Sequence, residues 1–113
     1  MQPEAPALIW DARRAAGRVL EFVAGRGWDD YQQDVMLRSA VERQFQIIGE
    51  ALNRLSKVDS ATADRVPDLA RIVAFRNVLV HGYAQIDDAL VWEVASTRVP
   101  ELATVLAGLL DDS

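Results

Sequence analysis

The sequence predicts an all-α fold, an up-and-down bundle of four to five helices, and three observations carry that prediction. Apolar residues recur at three- and four-residue steps over long stretches, the period of one helix face. No stretch alternates apolar and polar residues as a half-buried strand would. Glycine, proline and aspartate fall between the periodic stretches, where helices stop and start.

The first helix is expected from about Ala7 to Ala24, with Leu8, Ala12, Ala15, Val19 and Val23 forming one apolar stripe. Gly25-Arg26-Gly27 ends it, because glycine tolerates the left-handed conformation of a helix stop. Asp29 and Asp30 are placed to cap a second, long helix from about Asp30 to Lys57. Its stripe is Leu37, Val41, Phe45, Ile48, Leu52 and Leu55, which suits packing nearly antiparallel to a neighbour. Gly49 beside that stripe permits a close approach by another element. A polar stretch, Val58 to Val66, leads to Pro67, which opens a third helix at its first turn. Leu69, Ile72, Val73 and Leu79 give that helix its apolar side, and Gly82 stops it. Asp87 or Asp88 caps a fourth segment reaching about Leu110, with a kink or a break expected at Pro100. The tail Asp111-Asp112-Ser113 is expected to fray.

The chain has 113 residues, the length of one domain, so residues 1–113 are read as a single unit. A chain of this size has little room for a deep private pocket, which makes a site shared by two subunits a serious prospect. The absence of cysteine removes disulfides, thiolate metal sites and cysteine nucleophiles. The N-terminus lacks the pattern of a signal peptide, and no apolar run approaches the ~20 residues needed to cross a bilayer. A cytoplasmic protein with no membrane contact is the expectation. The net charge of −5 argues against general coating of nucleic acid. Charge is uneven, however. Arg38 to Arg76 holds seven basic and five acidic residues, and eleven of the twelve basic residues in the chain are arginine. Arginine suits bidentate phosphate contacts, although solvated helix faces and intrachain ion pairs would use it as well.

Chemistry concentrates between Arg76 and Tyr83. His81 is the only histidine, five residues after Arg76 and four after Asn77. Imidazole exchanges protons near neutral pH, and guanidinium carries a permanent charge that matches phosphate oxygens. Such a pair could cut RNA without metal. His81 would take a proton from a ribose 2′-hydroxyl or give one to the leaving oxygen, Arg76 would stabilise the phosphorane, and Asn77 would orient the imidazole or the phosphate. On a regular helix, Arg76 and His81 point about 140° apart. They meet at one phosphate only if the helix loosens near Gly82 or if two chains combine their motifs. Spacing alone favours reading His81 as a helix C-terminal cap and Tyr83 as a packing residue. No histidine–carboxylate cluster has metal-ligand spacing, no glycine-rich phosphate loop occurs, and no nucleophile-elbow sequence is present. Neither metal nor cofactor is therefore expected.

The string Arg76-Asn77-Val78-Leu79-Val80-His81-Gly82-Tyr83 resembles the Arg-x4-His-x-Tyr signature of the HepT-like branch of the HEPN superfamily. Ile47-Ile48-Gly49-Glu50-Ala51 is similar to the Ile-Gly-Glu-Ala segment of that family's long helix. Val91-Trp92 and Pro100-Glu101-Leu102 resemble its last helix. The match runs from roughly Leu8 to Leu110. One departure is that Asp68 and Leu69 follow Pro67, where the family often has a Trp. The resemblance implies a metal-independent ribonuclease toxin with a helical bundle fold, acting as a homodimer whose facing motifs form one composite site. By position, it makes Arg76 and His81 the catalytic pair, Asn77 the supporting polar residue, and Tyr83 the tyrosine to which a partner antitoxin, a minimal nucleotidyltransferase, transfers AMP. A competing reading is a non-catalytic helical dimer that binds and regulates such a nucleotidyltransferase, which the acidic net charge favours mildly.

Overall fold

The computed structural model describes residues 1–82 and 86–112. Seven α-helices and one π turn occur among them: α1 (Ala5–Val23), α2 (Trp28–Gln33), α3 (Val35–Val58), α4 (Ser60–Ala63), α5 (Leu69–His81), α6 (Asp88–Glu93), the π turn Val94–Arg98, and α7 (Val99–Asp111). No strand occurs among the described residues. The four expected helical segments are present as α1, α3, α5 and the run from α6 through α7.

The long elements alternate in direction. The backbone N–H of Gln2, just before α1, donates to Asp59 Oδ2 at 2.8 Å, which fixes the start of α1 beside the end of α3. The ion pair Arg65–Asp112, at 2.5 Å, brings the end of α7 to the same end of the bundle. Helix α5 leaves that end and returns along α3, so His81 lies at the opposite end, with α2 and the start of α6. There Arg38 of α3 approaches Asp88 Oδ2 at 3.6 Å and donates to the carbonyls of Tyr31 and Gln32.

The core is built mainly by α1 and α3. Ala5, Ile9, Ala12, Ala16 and Val19 are wholly buried, and small residues there let α1 lie close against Ile48, Leu52 and Leu55 of α3. The stripe on α3 is buried as expected, from Leu37 through Leu55. On α1 the stripe is shifted: Ala5 and Ile9 are buried while Leu8 is only partly so. At its end, Gly25 adopts φ 71°, the left-handed stop foreseen there. The closing segment breaks as Pro100 foretold. The π turn precedes α7, and Pro100 sits in the first turn of α7, where its missing N–H costs nothing.

Several boundaries differ from expectation. The second helix is not continuous from Asp30, nor is it capped by Asp29 or Asp30. Asp34 interrupts it in an extended conformation, and its Oδ1 accepts from the N–H of Leu37 at 3.0 Å to start α3. Asp30 instead fixes the start of α2 by accepting from the N–H of Gly27 at 2.8 Å. The polar stretch contains α4, capped by Asp59, whose carboxylate accepts from Thr62 N–H at 3.1 Å and Thr62 Oγ1 at 2.7 Å. Pro67 lies outside α5, and the turn is completed by Asp68 at φ 58°, a left-handed position that aspartate tolerates better than most residues. Asp111 and Asp112 are not frayed, since α7 runs through Asp111 and Asp112 pairs with Arg65.

Candidate active site

Helix α5 carries Arg76, Asn77 and His81, and it is held mainly against α3. Phe75 meets Phe45 of α3 edge to face, with ring centroids 5.2 Å apart. One residue on, Arg76 crosses α3 at Gly49. A methyl group built on Gly49 would overlap Cβ of Arg76 and lie 2.6 Å from its Cγ. The absent side chain is thus what lets the arginine stem lie flat on α3, the close approach anticipated for Gly49. Arg76 is half-buried, and its Nη1 donates to Asn77 Oδ1 at 2.9 Å. The amide therefore holds the guanidinium, a role different from the two considered for Asn77, which were to orient the imidazole or the phosphate.

His81 is exposed and is the last residue of α5. Helical geometry persists to it. The N–H of Gly82 still bonds the carbonyl of Val78 at 2.6 Å, and a side chain on Gly82 would collide with that carbonyl. Because the helix does not loosen before Gly82, Arg76 and His81 stay about 140° apart on it. Around His81, α5 presents Ala70, Ala74, Asn77 and Val78 to solvent at helical spacing, with Val78 53% exposed. This strip lies on the side of α5 that no helix among the described residues packs against. Tyr83 lies outside the described residues.

The electrostatics at this end come from α3 and α6. Burial, then the nearby Asp88 carboxylate, pushes the Glu42 carboxyl above its usual range, with Arg38 opposing. Tyr31 is wholly buried between Trp28 and Trp92, at centroid distances of 6.3 and 5.3 Å. Its hydroxyl has no hydrogen-bond partner among the described residues, and burial raises its pKa well above the usual tyrosine value. Among the described residues, no group of three or more His, Asp or Glu is placed to hold a metal ion. No helix of the described chain is long and apolar enough to cross a membrane.

Sequence reasoning missed a groove between α5 and the run from α6 to α7. Phe45 and Ile48 of α3 form its floor, and Ile72, Phe75, Leu102 and Val105 form its walls. Five of these six residues, all but Phe75, are apolar stripe positions in the sequence. Nothing in their spacing says that two neighbouring helices stand apart.

The sequence profile of the family described as ribonuclease HepT-like matches residues 12–108. A Methanocaldococcus jannaschii protein named "Putative RNase MJ1380" is 31% identical over 96 residues, covering 85% of this chain and 87% of the relative. One from Caldanaerobacter subterraneus subsp. tengcongensis, "Putative RNase TTE0752", is 32% identical over 84 residues, 74% of each chain. A second M. jannaschii protein, "Putative RNase MJ1216", is 23% identical over 106 residues, 94% of this chain and 87% of the relative. No solved structure matches the chain.

Proposed function

Because the chain belongs to the ribonuclease HepT-like family, we propose that it is a metal-independent RNA endonuclease, the toxin of a type VII toxin–antitoxin pair, working as a homodimer in the cytoplasm. The observation that carries this reading is the pair of settings on α5. Arg76 is pinned over Gly49 and oriented by Asn77, while His81 stands free at the helix end.

The reaction uses the RNA's own nucleophile. His81 of one copy takes the proton of a ribose 2′-hydroxyl, and the 2′-oxygen attacks the adjacent phosphorus. The P–O5′ bond breaks as a second imidazole, His81 of the other copy, protonates the leaving 5′-oxygen. The products are a 2′,3′-cyclic phosphate end and a 5′-hydroxyl end. Arg76 neutralises charge on the phosphorane oxygens as it develops, where a fixed guanidinium contributes most. The two-chain requirement agrees with one histidine per chain and with the divergence of Arg76 and His81 on a regular helix.

Control falls on Tyr83. A partner nucleotidyltransferase would direct the tyrosine oxygen onto the α-phosphorus of ATP. The phenolic proton is lost, pyrophosphate leaves, and AMP remains on the tyrosine. The adduct adds a negative charge and a base two residues from His81, blocking the site by occupancy and by repulsion of RNA phosphates.

RNA cleavage that persists in excess EDTA supports this reading, and a strict requirement for a divalent ion contradicts it. Sedimentation at ~100 µM, far above a micromolar dissociation constant, should show a dimer; a monomer removes the composite site. Intact-mass analysis after co-expression with the nucleotidyltransferase should show AMP on the wild type and none on Tyr83→Phe. The acidic net charge supports the second reading, a regulatory dimer without activity, and purified protein that binds the nucleotidyltransferase but leaves RNA intact would decide for it.

A further inference from the structure

The groove beside α5 has the size and lining of a binding site. Its volume of about 480 Å³ falls in the range of small-ligand clefts, and its walls are mostly apolar. Five charged side chains stand around it: Asp68, Arg71, Glu93, Arg98 and Glu101. Among the described residues none of them makes an ion pair, although both signs are present. None makes a side-chain hydrogen bond either, the ion pairs and bonds of the bundle being spent elsewhere. One flank is the π turn, which turns Val94, Thr97 and Arg98 toward the cleft. A π turn breaks the regular hydrogen-bond ladder and is frequent at functional sites.

The lining selects among occupants. An acyl chain would match the walls and leave five charges without partners. A bare phosphate would meet two guanidiniums and three carboxylates. A nucleobase fits both parts: its faces are apolar, and its edge offers acceptors to arginine and donors to carboxylates, the pairing by which proteins read bases. Position agrees. Phe75 lines the groove and is the residue before Arg76, and Arg71, Ala74 and Val78 form the exposed flank of α5 between the groove and His81. From Arg71 to His81 is about 15 Å along the helix at 1.5 Å per residue, within reach of a short single strand.

We propose that this groove is a base-binding subsite, holding one unpaired nucleobase of the RNA near the phosphate that is cut. The apolar walls take the base, and Arg71, Arg98, Glu93 and Glu101 contact its edge. This rests on the RNA-cleaving reading above, and the two can fail separately. The groove then supplies sequence preference, while Arg76 and His81 act on a phosphate that carries none.

The test uses the full chain as His81→Ala, so that RNA stays intact, with the methyl groups of Leu102 and Val105 followed by NMR. The probes are a mixed-sequence single-stranded RNA of about 12 nucleotides and a ribose-phosphate oligomer of equal length without bases. The groove methyls should shift with the first and not with the second, and the RNA should bind about 10-fold more tightly, the gain from one well-held base. Thr97→Trp, at an exposed position of the π turn, fills the groove and should abolish both differences; Arg71→Ala/Arg98→Ala should reduce the affinity difference. Groove methyls that stay still while wild-type protein cleaves the same RNA overturn the subsite and leave the ribonuclease reading standing. Methyl shifts with RNA, together with wild-type protein that cleaves no better than His81→Ala, keep the subsite and defeat that reading. Loss of the dimer in Thr97→Trp would assign the groove to the contact between copies and also overturn the proposal.

Discussion

Helices α1 and α5 both pack against α3, yet they do so in opposite ways. Helix α1 contributes six buried residues, four of them alanine, and forms a sealed seam. Helix α5 contributes Leu79 alone as a buried residue, and its contact with α3 is made by an aromatic edge and an arginine stem lying on a glycine. One seam is there to hold the bundle together. The other holds a helix in register while leaving its polar end, one flank and the adjoining groove open. The difference locates stability in α1–α3 and leaves α5, the helix of the proposed chemistry, the more open of the two.

The largest effect on stability should come from the sealed seam. Leu52→Ala removes a wholly buried side chain and should cost about 2–5 kcal/mol, measured by urea unfolding. A loss below about 0.5 kcal/mol, the scale of an ordinary surface change, would mean that the seam does not carry the fold. Gly49→Ala tests the other contact. The new methyl must displace Arg76, so about 1–3 kcal/mol of overpacking should come with loss of RNA cleavage. Gly108→Ala on α7, where nothing lies within 4 Å of the added methyl, should instead stabilise by about 0.5–1 kcal/mol. Equal effects at the two glycines would remove the argument for Gly49.

A smaller effect should appear with pH at the end of the bundle distant from His81. The N–H of Gln2, then the hydroxyl and N–H of Thr62, hold the Asp59 carboxyl below its usual range. A lowered folded pKa means that its stabilisation is present above the unfolded value of about 3.9 and is lost as pH falls through the folded value. Asp59→Asn should therefore melt below the wild type at pH 7, with the gap closing in acid. A gap independent of pH would assign the effect to lost packing.

The bundle was legible because burial repeats with the period of the helix, as in the stripe from Leu37 to Leu55. The break at Asp34 was less legible, since the stripe begins only at Leu37, beyond it, and the aspartate-to-Leu37 cap alone marks the new start. The site divides similarly. Residue types and spacing pointed to Arg76, Asn77 and His81, and Gly49 suggested a close approach without naming its partner. The groove left no trace in the sequence because it depends on the distance between α5 and α7, which side-chain periodicity does not encode.

The most direct test of the central claim is RNA cleavage by the purified chain, shown by mass to be free of AMP, beside its His81→Ala variant. Because His81 is exposed, the variant should keep the helical spectrum and the oligomeric state of the wild type, so that any lost activity reports chemistry. The account predicts cleavage in EDTA by the wild type and a loss of about 10²–10⁴-fold in the folded variant, the usual contribution of a positioned acid–base group. Equal cleavage by both proteins would make His81 a helix cap and contradict the assignment of α5 as the catalytic helix.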